Sequence, residues 1–130
     1  MVAAWGTEAM EFLEPESFKH LSNPEVQSTQ LLSPHNSSSN RVTVTSVTVA
    51  PGAQQPRHAH KTSEQIWIAI EGAGTLLLKD DSTREFHQGQ IARFEDGDVH
   101  GFKNTGSVPF KYISITSPPI DFSYAYQSEA

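Results

Sequence analysis

The fold of this protein is decided by residues 51–74, which read PGAQQPRHAHKTSEQIWIAIEGAG. A Pro-Gly turn opens the stretch, and His58 and His60 follow it two positions apart. Because alternate residues of an extended chain point to the same side, this pair on a strand could direct two imidazoles into one cavity. Neutral imidazole is the commonest protein ligand for divalent transition metals. The pair is therefore a candidate for metal binding.

A second stretch, residues 89–104, reads GQIARFEDGDVHGFKN and supplies a third candidate ligand, His100. Together the two stretches resemble the two signature motifs of the cupin family. The first motif has a glycine, five residues, His-x-His, a Glu and a closing glycine, and here it begins at Gly52. The second has a glycine, five residues, Pro-x-Gly, two residues, His, three residues and Asn, and here it begins at Gly89. Glu95 stands where that family usually has proline, in a position that only shapes a turn.

The resemblance implies an all-β fold, the double-stranded β-helix or jelly-roll barrel of cupins. It implies one domain over residues 1–130, with a barrel core at about 42–116 and extensions at 1–25 and 117–130. It also implies one divalent metal ion held by His58, His60 and His100, with zinc, nickel, iron and manganese all compatible with such ligands. A homodimer is expected, because cupin N-terminal strands often cross to a second subunit and apolar residues such as Ile66, Ile68 and Ile70 would need a partner sheet.

The fourth metal ligand is the point at which this sequence departs from the family pattern. Counting back from Gly72 places the ligand position at Gln65, whereas counting forward from His60 places it at Glu64. Adjacent strand residues face opposite ways, so only one of the two can face the metal. The Glu-Gly corner fixes the strand register and favours Gln65, with Glu64 as the alternative. Some cupins that act on sugar acids use a His, His, Gln, His set.

Three functions are compatible with these residues. An uncharged ligand set with Gln65 favours an isomerase or lyase that acts on a small oxygen-rich sugar acid or keto acid, with Tyr112 as the catalytic residue that moves a proton. A dioxygenase is the first alternative and would be better served by Glu64 as ligand. A cupin that binds a small molecule without turnover is the second alternative, because one fold hosts many chemistries.

Composition excludes several other classes of protein. The formal net charge of −6 over 130 residues leaves no basic stripe for nucleic acid. No apolar run approaches the roughly twenty residues of a membrane span, and the N-terminus lacks the regions of a signal peptide. We therefore expect no membrane partner and a cytoplasmic location. The absence of cysteine excludes disulfides and thiolate metal sites.

Strand signals dominate the rest of the chain, as expected for a sandwich or barrel. The β-branched run over residues 41–49 predicts a strand whose alternation slips near Ser46, where a bulge is expected. Residues 15–21 could form at most a turn or two of helix. The tail over residues 118–126 begins with two prolines and is expected to fold back on the barrel or on a partner. Predicted strands lie at residues 26–32, 64–71, 75–79, 84–87, 90–94, 100–104 and 109–116.

Overall fold

The computed structural model describes residues 10–120 and 128–129, and nearly all of its regular structure is strand. Two short 3-10 turns, Pro15–Ser17 and Lys79–Asp81, are the only helical segments of the described residues. The strands are β1 (Lys19–Ser22), β2 (Val26–Leu32), β3 (Thr43–Val49), β4 (Gln54–His58), β5 (Glu64–Glu71), β6 (Ala73–Leu78), β7 (Thr83–His87), β8 (Ile91–Phe94), β9 (His100–Lys103), β10 (Phe110–Ser117) and β11 (Ser128–Glu129).

The strands form two antiparallel sheets. The larger sheet has the order β11-β1-β2-β3-β10-β5-β8, and the smaller has the order β4-β9-β6-β7. From β3 onward the chain passes repeatedly between the two sheets, which is the winding of a double-stranded β-helix. The all-β prediction and the cupin-type barrel are therefore confirmed. Within the described residues, no helix has the length and apolarity that crossing a membrane requires.

The inner face of the larger sheet is apolar at one end and polar at the other. At the apolar end, Phe110 lies opposite Val49, and its ring stacks on Phe102 of the smaller sheet at a centroid distance of 4.3 Å. Toward the other end of β10, Ser114 and Thr116 are also buried. The hydrophobic core as a whole comprises Val26, Val47, Val49, Ala53, Trp67, Ala69, Leu76, Phe86, Phe94, Phe102, Phe110 and Tyr112. Burial of these side chains supplies the main driving force for folding.

Two local predictions require correction. Strand β3 alternates without interruption, so the parity slip predicted near Ser46 is wrong. Thr43 and Thr45 break the apolar pattern because they face inward at the polar end of the barrel. The irregularity lies in β2, between Gln30 and Leu32. Residues 15–21 contain one 3-10 turn, within the turn or two of helix expected from the sequence. Strand β1 follows that turn, and the sequence did not predict it.

The corner between β5 and β6 fixes the register of the strand that carries Gln65. Gly72 has φ of +90°, and a Cβ at this position would lie 2.8 Å from the carbonyl oxygen of Pro109. Both features require glycine. Because a one-residue slip would turn every β5 side chain to the opposite face, this corner determines which of Glu64 and Gln65 faces the barrel interior.

The outer face of the larger sheet carries a patch of branched apolar residues. Ile113 and Ile115 of β10 lie opposite Ile68 and Ile66 of β5, and Ile115 also lies opposite Val44 of β3. All five side chains are only partly buried. The homodimer predicted from the sequence remains a prediction. The tail predicted to fold back lies outside the described residues from position 121 to 127, and the backbone of β11 pairs with β1.

Candidate metal centre

The three predicted histidines come together at the polar end of the barrel. His58 ends β4, His100 begins β9, and His60 lies just beyond β4, before a turn at residues 61–62. One ring nitrogen from each lies within 4.8 Å of those of the other two. The sequence predicted that both histidines of the first motif lie on one strand, but only His58 does, because β4 ends before His60. Their rings still converge, with a centroid distance of 5.0 Å.

A bulge in β4 aligns His58 with His100. Gln55 pairs with Phe102 and His58 with His100, so Pro56 and Arg57 together oppose the single residue Gly101. Two residues against one is a β-bulge, which reverses the parity of the strand beyond it. A Cβ on Gly101 would lie 2.7 Å from the Gln55 carbonyl oxygen. The close approach of β4 to β9 therefore requires glycine at position 101.

Backbone carbonyls orient two of the imidazole rings. His58 Nδ1 lies 2.8 Å from the carbonyl oxygen of Pro56, and His100 Nδ1 lies 3.0 Å from that of Asp98. A carbonyl can only accept, so these contacts favour a proton on Nδ1 and a lone pair on Nε2. Metal-ligating histidines generally have this kind of support on the nitrogen that faces away from the ion.

The structure brings Gln65 to the histidines and leaves Glu64 outside. Gln65 is 5% exposed, and its Oε1 lies 3.1 Å from His100 Nε2. Its Nε2 donates to Thr116 Oγ1 at 2.9 Å, and Trp67 Nε1 donates to its Oε1 at 2.9 Å. Glu64 forms an ion pair with Arg93 on the outer side. The orientation is the one expected from the Glu-Gly corner.

The surroundings of His100 fit a cation better than a proton. Burial lowers the pKa of His100 to about 4, with the nearby His58 adding to the shift, so the ring is neutral at pH 7. A neutral imidazole has one proton, yet this ring faces two acceptors, the Asp98 carbonyl and Gln65 Oε1. A cation bound by Nε2 and Oε1 would remove the mismatch and leave the proton for Asp98. The donor set is nitrogen and oxygen, which suits a divalent transition metal.

A second ring in the cluster also favours the uncharged form. Burial lowers the pKa of His60, and the proximity of His58 lowers it further. Phe94 stacks on His100 with ring centroids 4.3 Å apart, and Trp67 meets the same ring edge-on at 5.5 Å. Unprotonated imidazoles held in place by aromatic packing are suited to metal binding, because a ligand nitrogen must be deprotonated.

A cavity of about 360 Å³ adjoins His58 and His60. Tyr112 and Ser114 line it from β10, as does Trp67 from β5, which stacks on Tyr112 at a centroid distance of 4.1 Å. The Tyr112 hydroxyl donates to Gln55 Oε1 at 3.1 Å. No aspartate or glutamate is among the described residues that line the cavity. The other lining residues are Asn23, Val26, Ser28, Thr45, Val47, Gln54, Gln55, Pro56, Arg57, His58, Ala59, His60 and Gln65.

Several of these residues were missed from the sequence. Ser28 and Thr45 carry hydroxyls on the inner face of β2 and β3, and the alternation of those strands could have indicated their orientation. Arg57 lines the cavity, but its guanidinium donates to the carbonyl oxygens of Leu78 at 2.7 Å and Ser82 at 3.3 Å. The hydrogen bond from Trp67 to Gln65 has no sequence signal beyond the shared parity of the two residues.

The winding of the two sheets and the histidine cluster at one end define a double-stranded β-helix protein with a candidate mononuclear metal centre. The chain belongs to the cupin family, because the family model for the cupin domain matches residues 45–116. An uncharacterized protein of Methanocaldococcus jannaschii is 32% identical over 71 residues, which are 55% of this chain and 56% of that protein. This chain thus spans about half the length of that relative.

Solved structures with the same fold include proteins of several activities. KdgF from a Halomonas species is 19% identical, with a TM-score of 0.72 over 85% of this chain and 97% of its own. The polyketide cyclase RemF from Streptomyces resistomycificus is 21% identical, with a TM-score of 0.70 over 83% and 79%. An uncharacterized double-stranded β-helix protein from Klebsiella pneumoniae is 25% identical, with a TM-score of 0.69 over 86% and 92%. These likenesses support the fold.

The lowered pKa of His100 predicts an acid-sensitive fold. In the unfolded chain a histidine binds its proton near pH 6.5, whereas the buried ring does so only at about pH 4. The unfolded state therefore binds more protons between these values. In metal-free protein this histidine should lower the free energy of unfolding by up to about 3 kcal/mol as the pH falls from about 6.5 to about 4.

Urea unfolding at a series of pH values, in the presence of a chelator, measures this dependence. His100→Gln should flatten the curve in that window, because it removes the group that titrates. His35→Gln, at an exposed histidine outside the cluster, is the control and should keep the slope. Equal slopes for wild type and His100→Gln would contradict the assignment.

Gly101→Ala should weaken metal binding by tenfold or more, because the added methyl group forces β4 away from β9 and separates His58 from His100. Titration calorimetry with Zn²⁺ or Ni²⁺ measures the effect. Gly74→Ala is the matched control: a Cβ there would also clash, 2.2 Å from the Phe102 ring, but the three atoms nearest to it belong to β9 and not to the β4 backbone. Similar loss of affinity in both variants would show that general destabilisation, and not the position of His58, is responsible.

Proposed function

We propose that this cupin is a metal-dependent isomerase or lyase that acts on a small oxygen-rich substrate, a sugar acid or a keto acid. The observation that carries the proposal is the uncharged donor set, in which the carboxamide of Gln65 lies beside His100 and the carboxylate of Glu64 does not. The metal would be held by His58, His60, His100 and Gln65. The likeness to KdgF and to the polyketide cyclase RemF is one of fold and is compatible with this proposal.

The charge of the site favours an anionic substrate. Three imidazoles and an amide oxygen neutralise none of the charge of a divalent cation. A divalent ion bound there would act as a Lewis acid on a carbonyl or carboxylate oxygen of the substrate. The described lining contains no carboxylate that would repel an acid, and the guanidinium of Arg57 is already engaged by carbonyl oxygens. The anionic group of the substrate would therefore bind at the metal end of the cavity.

The walls of the cavity suit the remainder of such a substrate. A volume of about 360 Å³ lies near the lower end of the range for ligand pockets, so the substrate is small. Ser28, Thr45 and Ser114 line the cavity, and their hydroxyl groups can both donate and accept hydrogen bonds. These groups match the hydroxyl or carbonyl groups of a sugar acid. Trp67 and Tyr112 offer a stacked aromatic surface for its carbon skeleton.

Tyr112 is the proposed proton-transfer residue. Its hydroxyl lies at the cavity wall, and Gln55 Oε1 accepts its hydrogen bond, which fixes the direction of the phenol O–H. The stack on Trp67 restricts the ring itself. A substrate oxygen or carbon that took the place of Gln55 could receive the proton, and the phenolic oxygen could receive it back. Both steps belong to an isomerase or lyase.

The dioxygenase alternative receives less support. The three-histidine and one-carboxylate set that would favour it requires Glu64 in the cluster, whereas Glu64 pairs with Arg93 outside the barrel. The alternative of binding without turnover differs from the proposal in its prediction for Tyr112, since a binding protein needs no group that moves a proton.

Exchange of substrate C–H protons with deuterium oxide tests the proposal without knowledge of the product. A panel of small keto acids and uronates is incubated with metal-loaded protein, and deuterium incorporation next to the carbonyl is followed by NMR. We expect exchange or turnover of at least one acid. Tyr112→Phe keeps the aromatic stack and removes the hydroxyl, and it should reduce the rate by about 10²–10⁴-fold while the metal remains bound.

Two variants complete the experiment. His60→Ala should lose both metal and activity, and Ser117→Ala, at an exposed residue that ends β10, should lose neither. Binding of an acid with no exchange or turnover across the panel would favour the non-catalytic alternative. Oxygen consumption by the iron-loaded protein would favour a dioxygenase, and an unchanged rate in Tyr112→Phe would exclude Tyr112 from catalysis.

A further inference from the structure

We infer that Trp67 is the positioning residue that decides which end of the Gln65 carboxamide faces His100, and that it thereby keeps a ligand oxygen turned toward the metal site. The inference rests on the proposed metal centre and concerns how this chain builds it. Trp67 is 2% exposed and Gln65 is 5% exposed, so their contact is shielded from solvent.

A carboxamide has two ends of nearly equal size and opposite hydrogen-bonding character. The oxygen accepts and the NH₂ group donates. In the structure Oε1 lies between Trp67 Nε1 at 2.9 Å and His100 Nε2 at 3.1 Å, and Nε2 of Gln65 donates to Thr116 Oγ1 at 2.9 Å. Rotation of the amide by half a turn would exchange the two ends with little change in packing.

Of these partners, Trp67 distinguishes the two ends most sharply. The Thr116 hydroxyl can accept from an NH₂ group or donate to an oxygen, so it tolerates either orientation. An indole N–H can only donate. With the amide reversed, the indole N–H would face the NH₂ group in a buried site and would lose its acceptor. The hydrogen bond from Trp67 therefore holds the oxygen toward His100.

The held orientation is unfavourable for His100 itself in the absence of a cation. The neutral ring faces the acceptors Asp98 O and Gln65 Oε1 with a single proton. Reversal of the amide would bring an NH₂ donor to His100 Nε2, and both ring nitrogens would then have complementary partners. In that arrangement a hydrogen bond would occupy the lone pair of His100 Nε2, and the oxygen of Gln65 would point away from the metal site. The hydrogen bond from Trp67 prevents this reversal and leaves His100 Nε2 and Gln65 Oε1 available to a metal ion.

A double-mutant cycle between Trp67 and Gln65 separates this role from simple packing. Trp67→Phe keeps an aromatic ring against Tyr112 and Phe94 but lacks the N–H group. In Gln65→Glu both ends of the side chain are oxygens, so reversal has no consequence. The affinity for Ni²⁺ of the full chain is measured by titration calorimetry for wild type, both single variants and the double variant.

We expect Trp67→Phe to weaken Ni²⁺ binding by about 10–100-fold when residue 65 is Gln, the range found for residues that orient metal ligands. With Glu at position 65 the same substitution should weaken binding less than about threefold. Ser117→Ala, at the exposed residue that ends β10, is the control and should leave the affinity within about threefold of wild type.

Equal losses from Trp67→Phe in both backgrounds would overturn the inference, because a packing defect does not depend on the chemistry of residue 65. Absence of Ni²⁺ binding by wild type would instead contradict the proposed metal centre. If Trp67→Phe fails to fold, replacement of Trp67 by 3-benzothienylalanine preserves the shape of the side chain and exchanges the N–H group for sulfur. The same background-dependent loss is expected with it, and its absence would again overturn the inference.

Discussion

The backbone of β4 lies directly against Gly101 of β9, and the histidine cluster depends on that close approach. The bulge at residues 56–57 uses the space that a side chain at position 101 would fill, and it brings His58 opposite His100. His60, just beyond the end of β4, reaches the same point. Two stretches that are distant in sequence thus share one site because a sheet contact, and not a loop, joins them. A site built on paired strands is held more precisely than one built on mobile segments.

The largest buried rings and the candidate site occupy opposite ends of the barrel interior. The apolar end, around Phe102 and Phe110, buries large side chains and supplies the driving force for folding. The other end buries hydroxyl and amide groups, and each of them lowers the stability of the protein unless it has a hydrogen-bond partner. The hydroxyl of Thr43 is buried with no hydrogen-bond partner among the described residues. A protein selected only for stability would place apolar residues at this end, where Ser28, Thr45 and Ser114 instead line the candidate cavity.

The sequence predicted the framework well and the details of the site less well. The glycine-marked motifs predicted the barrel and the three histidines, because turn geometry and strand parity restrict where those residues can lie. The Glu-Gly corner likewise indicated the side that Gln65 faces. The parity slip predicted in β3 was wrong because Thr43 and Thr45 face inward, whereas polar residues of a strand usually face solvent. The bulge opposite Gly101 and the indole hydrogen bond of Trp67 depend on contacts between strands, which local patterns do not contain.

The central claim is that three neutral imidazoles and one amide oxygen hold a single divalent cation. Anomalous X-ray diffraction from crystals of the metal-loaded protein, recorded on both sides of the absorption edge of the metal, tests it most directly. The account predicts one anomalous peak within bonding distance of the imidazole nitrogens of His58, His60 and His100 and of Gln65 Oε1. A peak elsewhere, a peak bound by the carboxylate of Glu64, or no peak after loading with zinc, nickel, iron and manganese in turn would contradict it.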